Sequence, residues 1–137
     1  MRAGVAVAFA AAVAGCGGHP SATRPPTALE RAALTQAIFD SLPRTEAADP
    51  SIARIRVTTV PSDSRGAAPY TEFARVDLTD PKVGDAMSLL GYRQARVSGW
   101  RLLDLGSADV GCSFGPGVFG SHKQVVLHDL GLDCPGA

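Results

Sequence analysis

The sequence predicts an α+β domain in which an N-terminal helix packs on a small antiparallel sheet of about four strands and a disulfide ties back a C-terminal helix. Three observations support this fold class: an amphipathic helical pattern, stretches that alternate with β-branched residues, and two cysteines that flank the last helical pattern. The 137 residues include 13 basic and 13 acidic ones, so the formal net charge is zero. This length allows one domain with a modest core. The sequence has no cluster of basic residues of the kind that binds nucleic acid, so no nucleic-acid partner is expected.

The N-terminal segment has the pattern of an export signal. Arg2 precedes Ala3–Ala12, an apolar run that is too short to cross a bilayer, because a spanning helix needs roughly 20 residues. Small residues then lead to Val13-Ala14-Gly15-Cys16, which resembles the lipobox of bacterial lipoproteins. The resemblance implies that residues 1–15 are a signal peptide and that Cys16 carries a lipid such as a palmitate-containing diacylglyceryl group. The protein would then be anchored at the extracytoplasmic face of the cell membrane.

A second cleavage pattern competes with the lipobox. Ala12-Val13-Ala14 also fits the A-x-A-like rule for ordinary secretion, which would leave Cys16 as an odd thiol. We favour the lipobox because it gives this cysteine a role. Residues 16–26 are then a lipidated cysteine and a flexible tether rich in Gly, Pro and Ser, about 30 Å long when extended. Residues 27–137 form the single α+β domain.

The first folded element is predicted to be a helix over Ala28–Leu42. Thr27 and Glu30 have the spacing of a capping box, in which each side chain accepts a hydrogen bond from the other residue's backbone N–H group. Apolar residues recur every fourth position over Leu34–Leu42, so one face can be buried. Pro43 ends the helix.

Alternating patterns predict two strands, Ile52–Val60 and Tyr70–Leu78. In the first strand one face is mostly apolar and the other is polar. The apolar face comprises Ile55, Val57 and Thr59, and the polar face comprises Arg54, Arg56 and Thr58. We expect the arginines to form solvated pairs across the sheet with Arg75 or Asp77 of the second strand.

Residues 83–95 fit either a short helix or a strand. We favour a strand that forms a hairpin, with Ser98-Gly99 as its turn and Trp100–Leu105 as its second strand. Trp100 is expected to contribute to the core or to cover its edge.

The three cysteines are Cys16, Cys112 and Cys134. If Cys16 carries lipid, the other two form an even pair, and pairing is the default in an oxidising compartment. The chain-entropy model gives such a disulfide about 3 kcal/mol of stabilisation. The sequence has no CxxC motif, so no metal site is expected.

The last element is predicted to be a helix over Ser121–Leu130, with Ser121 as its N-cap and Gly131 in the left-handed position after it. Val125 and Val126 are expected to be buried. His122 and His128 are six residues apart and are not expected to share a metal ion.

Three stretches of the C-terminal part carry a second resemblance: Gly99–Ser107, Val110-Gly111-Cys112 and Asp129–Pro135. They are similar to the C-terminal part of small uncharacterised exported actinobacterial proteins. The two cysteines are the most specific feature of this similarity, which implies export and assigns no catalytic residue.

No motif identifies a catalytic residue or a cofactor. Gly115–Gly120 matches G-x-G-x-x-G, but dinucleotide binding also needs a following parallel strand with an acidic residue about 20 positions on. We therefore interpret it as a glycine-rich connector. The leading hypothesis is a non-enzymatic envelope module that binds a protein, a peptide or a small apolar ligand through its sheet, with Trp100, Phe73 and Tyr70 facing the ligand. A cell-wall hydrolase and a purely structural subunit of a membrane complex are the alternatives, and a pocket lined by these three side chains would favour binding or catalysis.

Overall fold

A computed structural model describes residues 23–42, 51–60, 69–81, 84–93 and 98–135. In these residues the elements are α1 (Ala28–Ser41), β1 (Ser51–Thr59), β2 (Glu72–Asp80), β3 (Gly84–Arg93), β4 (Gly99–Gly106), α2 (Pro116–Phe119) and α3 (Lys123–Leu130). The strands form one antiparallel sheet in the order β1-β2-β3-β4. The predicted α+β fold is confirmed, including the disulfide between Cys112 and Cys134. The predicted signal peptide and Cys16 lie outside the described residues.

Helix α1 begins with the predicted capping box. Thr27 Oγ1 accepts a hydrogen bond from the Glu30 N–H group at 3.2 Å, and Glu30 Oε2 accepts one from the Thr27 N–H group at 2.7 Å. Leu34 and Ile38 are fully buried against the sheet. The helix ends at Ser41, one residue before the predicted end.

The segment before α1 lies against the edge of the sheet and is not part of a tether. The backbone N–H group of Arg24 donates to the Val57 carbonyl at 2.9 Å, and the Val57 N–H group donates to the Arg24 carbonyl at 3.0 Å. The Arg24 guanidinium also binds Glu30 at 2.6 Å and Glu72 at 2.9 Å. The prediction of a tether through residue 26 is therefore wrong at its C-terminal end, because a backbone ladder and two ion pairs hold residue 24.

The strands differ from the predicted ones mainly at their ends. β1 starts at Ser51, one residue earlier than expected. β2 starts at Glu72, two residues later than expected, so Tyr70 lies before the strand. Residues 84–93 form a strand, which settles the ambiguity in favour of the hairpin. Gly99 already pairs with Arg93, so residues 94–98 connect β3 to β4 and Ser98-Gly99 is not the turn.

Helices cover both faces of the sheet. The α1-side core is aliphatic and consists of Leu34, Ile38, Ile55, Val57, Ala74, Val76, Leu78 and Leu90. The α3-side core lies on the other face and consists of Val60, Phe73, Leu89, Val110, Phe119, Val126, Leu127, Leu130 and Leu132. The second face of β1 was expected to be solvated, but Thr58 is only 1% exposed there. That expectation fails because α3 packs across β1 and β2.

The C-terminal region departs furthest from the prediction. Helix α3 begins at Lys123, and its N-cap is His122 without a side-chain hydrogen bond, so the predicted start and cap at Ser121 are wrong. Val125 is 45% exposed, and Leu127 occupies the core instead. Gly131 adopts the predicted left-handed conformation with φ of 64°. Among the described helices, none is long and apolar enough to span a membrane.

The glycine-rich stretch Gly115–Gly120 contains an element that the sequence interpretation missed. Pro116–Phe119 forms the one-turn helix α2, with proline in the first turn, where its missing N–H group has no effect on helical hydrogen bonding. Phe119 is fully buried, and its ring lies 5.1 Å from that of Phe73. The stretch thus supplies one of the two largest buried side chains of the domain.

Candidate functional site

The three aromatic side chains that were expected to face a ligand are not brought together. Phe73 is fully buried in the α3-side core, and Tyr70 packs beside it with a ring distance of 6.0 Å. Trp100 lies on the opposite face of the sheet, next to the α1-side core, where its ring meets that of Tyr92 edge-on at 5.4 Å. A single pocket therefore cannot be lined by all three side chains.

The α3-side face of the sheet instead carries an open cleft of about 350 Å³, which is lined by both polar and apolar side chains. It opens where β1 and β3 begin and β2 ends, beside the residue that follows β4. Its lining residues are Ala53, Arg75, Asp77, Leu78, Thr79, Asp85, Ala86, Met87 and Ser107.

Arg75 connects this cleft to the C-terminal end of α3. Its Nε atom donates to Asp77 Oδ1 at 2.6 Å, and its Nη1 atom donates to the carbonyls of Gly131 at 2.6 Å and Leu130 at 3.2 Å. The carbonyls at the end of a helix carry a partial negative charge, which stabilises a nearby cation. The side chain is only 14% exposed, so Arg75 is fixed in position.

Arg56 is the direct neighbour of Arg75 across β1 and β2. A Cβ atom at Gly131 would lie 3.2 Å from Arg56 Nη1 and 3.4 Å from Arg75 Nη1, so the two guanidinium groups converge on the same backbone position. The Arg56 Nε atom is buried and has no hydrogen-bond partner. Burial and the positive charges of Arg75 and Arg54 lower the pKa of Arg56, while Asp77 opposes the shift.

We call Arg54, Arg56 and Arg75 the arginine cluster. Arg54 is exposed and pairs in register with Asp77, whose carboxylate is bonded to Arg75. The expectation of simple solvated pairs is wrong for Arg56 and Arg75, because the register places these two arginines opposite each other and α3 ends over them. The opposition of Arg56 and Arg75 follows from the strand register, and alternation within one strand does not define that register.

Asp129 is a buried polar side chain of α3 and packs against β1. Thr58 Oγ1 donates to Asp129 Oδ2 at 3.3 Å, which gives both buried side chains a partner. His128 is exposed in the last turn of α3. Across the described ranges, no group of three or more His, Cys, Asp or Glu side chains is arranged to hold a metal ion.

Comparisons with known proteins found no match: no family model, curated protein or solved structure is similar to this chain. The site is therefore interpreted from its own geometry.

Proposed function

We propose that this chain is a lipid-anchored extracytoplasmic protein whose folded domain is a non-enzymatic binding or accessory module. The disulfide between Cys112 and Cys134 is the observation that carries the proposal. Disulfides persist in oxidising compartments and are rare in the cytosol. The pairing also leaves Cys16 as the remaining cysteine of three, which is the residue that the lipobox-like sequence needs as a thiol.

The attachment of Arg24 supports a short tether. Because Arg24 is held at the edge of β1, only residues 17–23 separate a lipid anchor from the domain. Seven extended residues span about 25 Å at most. The edge of β1 would therefore stay close to the membrane surface.

The covered sheet changes the way in which such a module would bind. The leading hypothesis was binding through the sheet, but α1 covers one face and α2 and α3 cover the other. Ligand recognition would therefore use the part of the α3-side face that the helices leave open, where the arginine cluster and the cleft lie. This arrangement supports binding at the surface of the domain and not in an internal apolar pocket.

Cell fractionation after replacement of Cys16 tests the anchor. Wild-type protein is expected in the membrane fraction after a wash at high salt, because a lipid anchor does not depend on ionic contacts. The Cys16→Ser variant is expected in the soluble exported fraction. A matched control is Ser21→Ala, which changes a nearby small residue of the same segment and should leave the protein membrane-bound. If the Cys16→Ser variant stays in the salt-washed membrane, the proposal is wrong.

Crosslinking in living cells tests whether the module has a binding or accessory role. A binding or accessory module is expected to give a reproducible crosslinked partner from positions near the arginine cluster, such as Arg54. The same crosslinker at Arg31, on the exposed surface of α1, provides the control position.

A further inference from the structure

Among the described residues, the three guanidinium groups of the arginine cluster form one ion pair, that of Arg75 with Asp77 at 2.6 Å. The carbonyls at the end of α3 also serve Arg75. The Nε atom of Arg56 is buried and has no hydrogen-bond partner among the described residues.

An unpartnered buried donor is costly, and a charged one is especially so, because its lost hydration is not replaced. The fold nevertheless keeps Arg56 against a second arginine instead of an acidic residue. A pair of converging arginines becomes favourable when an anion joins it, since guanidinium groups bind oxyanions through paired, charge-assisted hydrogen bonds.

We propose that the arginine cluster binds a phosphate group, with Arg56 as its main donor and Arg75 held beside it. A carboxylate has two oxygens, which one guanidinium fork can satisfy. A phosphate group arranges its oxygens tetrahedrally, so it can meet two guanidinium groups at once. Inorganic phosphate also carries more charge than a carboxylate, whereas a phosphodiester keeps the tetrahedral arrangement with a single negative charge. The hydrogen bonds of Arg75 to Asp77 and to the end of α3 use Nε and Nη1 and fix the orientation of its plane.

The location of the arginine cluster is compatible with two sources of phosphate. Arg24 pairs with Val57, the residue that follows Arg56 in β1. The cluster therefore lies near the edge of the sheet to which the N-terminal segment is attached. A lipid headgroup in the anchoring membrane and free phosphate share this chemistry. In naming the ligand class of the binding module, the inference rests on the proposed function, but the site itself does not require a lipid anchor.

Titration calorimetry of the full chain, purified in a non-ionic detergent, tests the site. The probes are inorganic phosphate and glycerophosphoglycerol, the water-soluble diester headgroup of phosphatidylglycerol, with acetate as the comparison anion. We expect saturable binding of one phosphate group per chain, and weaker binding of acetate. Tighter binding of the diester identifies a lipid headgroup as the source, and tighter binding of inorganic phosphate identifies free phosphate.

Three variants make the result specific. Arg56→Gln should weaken phosphate binding about tenfold, because it removes a charge-assisted hydrogen bond. Arg56→Lys keeps the charge but loses the planar fork and should weaken binding less; it also serves if the glutamine variant does not fold. Arg31→Gln removes an equal charge from the exposed surface of α1 and should leave binding within about twofold.

Two results would overturn the inference: no saturable phosphate binding by the wild type, or an equal loss in the Arg56 and Arg31 variants. Acetate binding as tight as phosphate binding would overturn the choice of ligand. None of these results depends on Cys16, so failure of the phosphate site and failure of the lipid anchor are separate outcomes.

Discussion

The two layers that cover the sheet are held to it in different ways. On the α1 side, fully buried aliphatic side chains such as Leu34 and Ile38 supply the contact, and the N-terminal segment is attached by ion pairs of Arg24 with Glu30 and Glu72. On the α3 side, the tilted rings of Phe73 and Phe119 lie in contact within the core, and a disulfide closes the C-terminal part of the chain.

This difference makes the α3 side the place to test the proposed binding. In the described residues of the α1 layer, the capping box and the ion pairs of Arg24 connect the N-terminal segment to the helix and to β2. The α3 layer is short and is closed by the disulfide, and it leaves the buried Nε atom of Arg56 without a hydrogen-bond partner among the described residues at the point where α3 ends. A rigid support beside an unsatisfied charge is the arrangement expected of a binding site.

Removal of the Phe119 ring should have the largest effect. Phe119 is fully buried between Phe73 and α3, so Phe119→Ala is expected to lower the free energy of unfolding by about 3–5 kcal/mol. Phe39→Ala is a matched control. Phe39 on α1 is 40% exposed, so its removal should lower the free energy of unfolding far less. Urea denaturation measures both variants. Equal losses would mean that the aromatic centre of the α3 layer does not dominate its stability.

Loss of the disulfide should have the next largest effect. Reduction, or the pair of changes Cys112→Ser and Cys134→Ser, is expected to lower the free energy of unfolding by about 3 kcal/mol, because the unfolded chain regains the freedom of the closed loop. The Cys16→Ser variant should unfold like the wild type under the same conditions. If reduction leaves the melting temperature unchanged, the α3 layer is held by packing alone, and the contrast with the α1 layer disappears.

The sequence predicted the α1 layer better than the α3 layer for a physical reason. The capping box of Thr27 and Glu30 and the apolar spacing around Leu34 are local patterns, so they can be read without knowledge of the fold. The opposition of Arg56 and Arg75 depends on strand register, which no single strand contains. Phe119 was missed because glycine and proline around it indicate a connector, whereas its burial comes from distant partners. The cysteine pair was predictable because counting needs no geometry.

A methyl group at Gly91 should test how tightly the α3 layer is packed. A Cβ atom there would lie 2.5 Å from Tyr70 Cδ1, so Gly91→Ala must displace the ring and is expected to destabilise the domain by about 1–3 kcal/mol. Gly115→Ala is the control, since nothing lies within 4 Å of a Cβ atom at that position. The double variant Tyr70→Ala with Gly91→Ala should show less than the sum of the two losses. Additive losses would show that Tyr70 does not pack over Gly91.

The ion pairs of the α1 layer should give the smallest effect and a distinct pH dependence. The hydrogen bond from Arg24, together with those from Thr27, lowers the pKa of Glu30 to about 2 in the folded protein, below its ordinary value of 4.5. A depressed carboxyl pKa stabilises the folded state above the unfolded pKa, and this contribution is lost as the pH falls from 4.5 towards 2. Glutamine preserves the acceptor of the capping box, so Glu30→Gln isolates the charge.

At pH 7 we expect Glu30→Gln to lower the free energy of unfolding by about 1 kcal/mol, since the ion pair is partly exposed to solvent. The difference from the wild type should shrink as the pH falls below 4.5, and 0.5 M salt should reduce it at neutral pH. Asp40→Asn, near the C-terminal end of α1, is the control; removal of that charge should be neutral or slightly stabilising. A Glu30→Gln difference that stays constant down to pH 2 would show that the charge of Glu30 does not attach the N-terminal segment. The two layers would then differ only in their core packing and the disulfide.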